Sequence, residues 1–272
     1  MDLDLKGRSV LISGASKGIG RAVAEEFARE GCSLFLVSRT AADLERARDE
    51  IRARHNVPVE IHAADLSRPE ARQTVVEKAG SVDILINNAG AIPKGDLLEL
   101  DDARWREAWD LKVFGYINMC RDVYRAMQAR KSGVIINIIG VSSEKLDYDY
   151  LAGSTGNAAL VAFTRALGSL SIEYGVRVLG VNPGYVETER AVRGLRIRAQ
   201  RELGDPEKWP DLVRDLLPSG KMIAPKEIAD VVAFLASDRA SAMCGQIVTV
   251  DAGNVFATCV REQGGRSSSH AG

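Results

Sequence analysis

Hydrophobic residues fall along this chain in two alternating rhythms. Short, nearly continuous apolar runs occupy Ser9–Ser13, Ser33–Ser38, Val59–His62, Val82–Ile86, Val134–Ile139, Val176–Val181 and Gln246–Val250. Runs without polar alternation predict parallel strands buried on both faces. Between them, apolar positions recur at helical spacing over Ile19–Glu30, Ala42–Arg54, Glu70–Ala79, Ala103–Arg130, Ser154–Tyr174 and Lys226–Ser237. Pro225 suits the first turn of the last of these, where the missing N–H has no helical partner to lose. The alternation predicts an α/β fold: a single doubly wound Rossmann-type domain with a seven-stranded, mostly parallel sheet and helices on both faces. Nothing in residues 1–260 repeats or resembles a linker, so one domain is expected there. Residues 187–220 have no strand in the pattern and predict an insertion near the C-terminal edge of the sheet. The Gly- and Ser-rich stretch 261–272 predicts a flexible tail.

Composition adds exclusions. The chain has 272 residues, 46% of them hydrophobic and 27% charged, which is enough apolar material for a substantial core. A formal net charge of −1 supplies no global field for nucleic acid or an anionic membrane surface. No apolar run reaches the length of a membrane span, and the acidic start Met1-Asp2-Leu3-Asp4-Leu5 has no signal-sequence character. Cys32, Cys120, Cys244 and Cys259 are scattered without a C-x-x-C pair, as reduced thiols would be. A cytoplasmic protein is expected, with no nucleic-acid or membrane partner. His55, His62 and His270 have no metal-like spacing, so no metal site is expected.

The first predicted strand runs into Ser13-Gly14-Ala15-Ser16-Lys17-Gly18-Ile19-Gly20, and a helix begins inside that motif. Glycines there allow a tight turn and a close approach of backbone to a pyrophosphate, at a helix N-terminus whose free N–H groups favour anions. The spacing G-x-x-x-G-x-G resembles the short-chain dehydrogenase/reductase family. Other markers of that family follow in order: Asp65-Leu66 after the third strand, Asn87-Asn88-Ala89-Gly90 after the fourth, and Pro183-Gly184 with Val186 and Thr188 after the sixth. The resemblance spans roughly Leu5 to Asn254 and implies a nicotinamide dinucleotide cofactor. It implies cofactor contacts from Gly14, Ser16, Lys17, Gly18, Ile19, Gly20, Asp65, Leu66, Asn88, Ala89, Gly90, Pro183, Gly184, Val186 and Thr188. The second strand ends in Ser38-Arg39, where an acid would bind the 2′-hydroxyl of NAD. Arg39 and Lys17 can instead pair with a 2′-phosphate, so NADP(H) is the expected cofactor.

In this family a Tyr, a Lys, a Ser and an Asn usually carry the proton chemistry. At the matching positions this chain holds Gly153, Asn157, Gly140 and Lys112, and no shift of register restores Y-x-x-x-K. Two readings therefore stand. One is an oxidoreductase acting on a small-molecule carbonyl or alcohol, with replacement acid–base residues drawn from Lys112, Tyr148, Tyr150, Ser142 and Ser154. The other is an NADP(H)-binding protein without turnover, such as a redox sensor or assembly partner; a non-redox elimination in the same pocket is a third. The exchange of Asn and Lys between the two helices suggests a specific relay. In it, Lys112 reaches the proton from the opposite helix while Asn157 bonds the nicotinamide ribose. Loss of Ser and Tyr predicts a pocket either enlarged or refilled by Tyr148 or Tyr150.

Arg190, Arg193, Arg196, Arg198 and Arg201 crowd the insertion, which in the family covers the substrate. One reading is an anionic substrate, such as a carboxylate or a coenzyme A thioester. The other, favoured by a helical wheel that gathers Ala191, Val192, Leu195, Ala199 and Leu203 on one arc with the arginines mostly opposite, is a solvated face. Trp105 and Trp109, four residues apart, predict core or interface packing. The resemblance implies a homotetramer, with the helix of these tryptophans and the helix after Gly153 at one interface and the strand near Val248–Val250 at another.

Overall fold

The computed structural model describes residues 2–257; Cys259, His270 and the expected tail at 261–272 lie outside them. Seven strands form one parallel sheet: β1 (Ser9–Ser13), β2 (Ser33–Ser38), β3 (Val59–Ala63), β4 (Ile84–Asn87), β5 (Gly133–Ile138), β6 (Val176–Pro183) and β7 (Ile247–Val250). Their order is β3-β2-β1-β4-β5-β6-β7, and every neighbouring pair is parallel. The helices are α1 (Gly18–Arg29), α2 (Ala41–Arg54), α3 (Pro69–Ala79), α4 (Asp102–Trp109), α5 (Gly115–Arg130), α6 (Leu151–Ser171), α7 (Glu189–Leu203), α8 (Trp209–Leu216) and α9 (Pro225–Ala236). Among the described residues no helix is long and apolar enough to cross a membrane. No group of three or more metal-ligating side chains occurs there either.

Burial explains the continuous apolar runs. Along β1, Val10 and Ile12 enter a core shared with Phe27 of α1, Leu44 of α2 and Val232 of α9, while Leu11 points to the opposite core with Val75 of α3 and Met119 of α5. A strand with a core on each side holds a polar residue only where partners await it: Asn137 of β5 accepts from Asn87 and donates to Thr164, and Arg177 of β6 has a larger set. Its buried guanidinium donates to the carbonyls of Leu235, Ala236 and Ser237, capping the C-terminal end of α9 where helical acceptors are left over.

One predicted element is divided. The helix expected over Ala103–Arg130 is α4 and α5 joined by a π-helical turn, Asp110–Phe114. Such a widening inserts an extra residue into the helical ladder and re-aims the side chains it carries. Lys112 sits on this turn and is buried. Residues 187–220 are largely helical, as α7 and α8, and Leu195 and Val213 of these helices form a small apolar cluster with Leu217 and Met222.

Candidate active site

Sheet order reverses between β1 and β4, and loops leaving their C-terminal ends diverge to open a crevice there. Gly14 and Gly18 have positive φ values of 67° and 56°. A Cβ on Gly14 would lie 2.8 Å from Nδ2 of Asn88 and 2.9 Å from Cα of Ala89, so only glycine fits the turn. Asn88 Nδ2 donates to the carbonyls of Ser13 and Gly14, both at 3.1 Å, and the Ser13 hydroxyl accepts from the N–H groups of Asn88 and Ala89. The two loops are thereby tied together, leaving bare backbone at the N-terminus of α1.

A small cavity of about 160 Å³ beside this turn is lined by Ser38, Arg39, Leu66, Ala89 and Gly90, among others. The buried Ser38 hydroxyl has no partner. Asp65 accepts from the N–H and hydroxyl of Ser67 at 3.1 and 2.8 Å. Partial burial works to raise its pKa, yet these bonds and the charges of Arg39 and Arg68 bring it below the usual value. Lys17 is ion-paired with Asp43 at 2.9 Å, so Arg39 is the stronger cation for this cavity.

A larger cleft, about 900 Å³, holds the candidate acid–base residues. Lys112 Nζ donates to the Ile138 carbonyl at 2.7 Å and to the Tyr116 hydroxyl at 2.9 Å, and that hydroxyl donates to the same carbonyl at 3.0 Å. Burial, reinforced by the positive charge of Arg190, brings the Lys112 pKa down to about 7. With two N–H groups committed, the amine has either a third N–H or a lone pair for a ligand, according to pH.

Asn157, on α6, donates to Ser142 Oγ at 2.8 Å, while its Oδ1 is buried without a partner. Gly140, at φ 140°, lies so close that a Cβ there would stand 2.9 Å from Asn157 Nδ2. At Gly153 the ring of Tyr150 occupies the space that a Cβ would need. The space above Gly153 is thus refilled by an aromatic side chain arriving from the preceding loop. Burial raises the Tyr150 pKa, against the opposing charge of Arg190.

The cleft brings together Lys112, Ser142, Tyr148, Tyr150 and Asn157 with Ile19, Asn88, Pro183, Gly184, Val186 and Thr188. Ser154 is placed differently. Its hydroxyl accepts from the Asp147 N–H at 3.2 Å and supports the loop from below. The arginines of α7 divide rather than forming one solvated face. Arg193 and Arg196 pair with Glu189 and Glu207, whereas Arg190, Arg198 and Arg201 line the cleft. Arg190 crosses the groove to the carbonyls of Gly90 and Ile92, at 3.3 and 2.8 Å. A helical wheel assigns a residue to an arc but cannot show a long side chain turning back over the groove. Lys145 and Asn254 were also missed. Both lie in the cleft, and Lys145 Nζ donates to the Asn254 carbonyl and Oδ1 at 3.1 and 3.2 Å, a pairing of residues 109 apart.

Seven parallel strands with a glycine turn at the switch point define a Rossmann-type nucleotide-binding architecture. Residues 14–254 match the family described as enoyl-(acyl carrier protein) reductase. The chain is 36% identical over 251 residues to galactitol 2-dehydrogenase (L-tagatose-forming) of Cereibacter sphaeroides, covering 92% of this chain and 95% of the relative. It is 32% identical over 260 residues to oxidoreductase UcpA of Escherichia coli K12, covering 93% and 96%. Among solved structures, L-sorbose reductase from Gluconobacter frateurii complexed with NADPH and L-sorbose superposes with a TM-score of 0.89 at 30% identity, over 94% of this chain and 99% of that one. An actinorhodin polyketide ketoreductase variant with NADPH gives 0.87 at 28% identity, over 92% and 98%. The chain belongs to the short-chain dehydrogenase/reductase family.

Proposed function

We propose that the protein is an NADP(H)-dependent oxidoreductase that interconverts a carbonyl and an alcohol, with a proton relay unlike the family's usual Asn, Ser, Tyr and Lys set. The glycine cradle, the unpartnered Ser38 hydroxyl and Arg39 fit the adenosine half of a phosphorylated dinucleotide. The orphaned Oδ1 of Asn157 fits a ribose hydroxyl. The relatives solved with NADPH support the same choice. When bound, the nicotinamide supplies or accepts the hydride.

The observation that carries this reading is Lys112, a buried amine titrating near 7 in an open cleft with Tyr150 and Asn157. In the reductive direction Lys112 holds a proton on Nζ, and the Ile138 carbonyl and Tyr116 hydroxyl fix the direction of its remaining N–H. The Tyr150 phenol, packed against Gly153 and lining the same cleft, is the second group assigned to the substrate oxygen, which it polarises. In the oxidative direction the neutral Lys112 amine takes the proton. A positioned general acid of this kind contributes about 10²–10⁴-fold to rate. A cofactor-holding protein without turnover needs no such group facing an open cleft. We further propose a homotetramer, with a substrate-covering role for residues 187–220.

The test begins with direct NADPH binding and a screen of carbonyl and alcohol substrates. Lys112→Met should then lower turnover about a hundredfold while NADPH affinity changes less than about twofold. Unchanged turnover would remove Lys112 from the relay.

A further inference from the structure

Resting on the reading of this cleft as a substrate site, we propose that the substrate is an anion: a small carbonyl or hydroxy compound whose carboxylate or phosphate pairs with Arg190. The cleft is lined by six cationic side chains, Lys94, Lys112, Lys145, Arg190, Arg198 and Arg201, against one acid, Asp147. That acid is engaged in its own turn, accepting from the Asp149 N–H at 3.0 Å.

How these cations are held separates them from surface charge. Arg198 and Arg201 share Glu202, which offsets one of their two charges. Lys112, Lys145 and Arg190 are held by neutral oxygens: the Ile138 carbonyl with the Tyr116 hydroxyl, the Asn254 carbonyl and amide, and the Gly90 and Ile92 carbonyls. Neutral acceptors fix a side chain's position without cancelling its charge. Among the described residues none of the three has a carboxylate within ion-pairing distance. The result is two fixed positive charges, Lys145 and Arg190, joined by Lys112 when it is protonated, with no internal counter-ion, the arrangement that electrostatic preorganisation for an anionic ligand requires.

Arg190 is the anchor because its field reaches the reacting end of the cleft, where it bears on both Lys112 and Tyr150. Its planar fork can exchange a carbonyl partner for two oxygens of a carboxylate or phosphate. An anionic group there shares one cleft with the Lys112 amine and the Tyr150 phenol. It also relieves the repulsion between Arg190 and a protonated Lys112.

The test is calorimetric titration of the NADP⁺-saturated protein with redox-inert probes: malonate, methylphosphonate and the neutral malonamide. Malonate or methylphosphonate should bind at least tenfold more tightly than malonamide, and whichever of the two binds better names the charged group. Arg190→Met should weaken that binding at least tenfold, about 1.4 kcal/mol, and Arg190→Lys should restore part of it. Arg193→Met, on the solvent side of the same helix, should change nothing. Equal binding of malonamide, an unaffected Arg190→Met variant, or anion binding abolished by NADP⁺ would each overturn the proposal. The last result would assign the charge to the cofactor's own phosphates. If NADP⁺ itself fails to bind, the oxidoreductase reading falls separately. The contrast between Arg190→Met and Arg193→Met in the free protein then decides the anion site.

Discussion

The proposed chemistry rests most on two side chains. Arg39 borders the adenosine-side cavity, and the other nearby cation, Lys17, is neutralised by Asp43. We expect NADPH to bind at least tenfold more tightly than NADH, about 1.4 kcal/mol, and Arg39→Asp to reverse the order, as read by fluorescence titration of both cofactors. Lys112 sets the pH dependence. Its pKa falls from 10.5 in the unfolded chain to about 7 in the fold, so between those values the unfolded chain carries a proton that the folded one does not. Stability therefore gains up to about 1.4 kcal/mol per pH unit from this group as pH rises through that window, and the full cost of burial remains below 7. Denaturant titrations of Lys112→Met should show that slope removed. For turnover the sign depends on direction: reduction, needing the charged amine, should fall as pH rises through about 7, and oxidation should rise.

Elements transmit these positions, and one of them can be tested without touching the site. Arg177 closes the C-terminal end of α9, which packs on α1 and so backs the glycine turn. Arg177→Met leaves several buried carbonyls without donors and should cost about 2–4 kcal/mol in denaturant unfolding, with the cofactor preference unchanged. Most elements were legible in the sequence, because a doubly buried strand and an amphipathic helix impose different rhythms. The π-helical turn was not. Asp110-Leu111-Lys112-Val113-Phe114 is compatible with an ordinary helix, and the widening is decided by packing against α6 and the sheet. Refilling of the space at Gly153 by Tyr150 was one of two outcomes open from sequence. Choosing between them required knowing where the loop over 141–150 runs. Lys145 and Asn254 could not be paired by any local rule, since only the return of β7 beside β6 brings them together.

At the scale of the molecule, β7 pairs on one side only among the described residues, and Phe114, Leu170, Ile172 and Tyr174 are exposed around α5 and α6. Exposed apolar surface on helices and a free sheet edge are what self-association covers. We expect light scattering to give a mass near four times the 29.4 kDa of the chain, and a monomer would remove the tetramer proposal. The edge is also tied to the cleft: Thr249 on β7 donates to Glu144, which accepts from Asn182, while Asn254 holds Lys145. Introducing a charge on this strand, as in Thr249→Asp, should therefore be felt in substrate affinity as well as in mass.

The position of Tyr150 has a consequence for how the site can change. Its ring fills the space that a Cβ at Gly153 would need and packs with Ile92, Leu100, Ala108 and Ala152. A side chain at 153 and an aromatic ring at 150 therefore exclude one another. The family's usual tyrosine cannot be reinstated at 153 by one substitution, because the ring at 150 must give way in the same step.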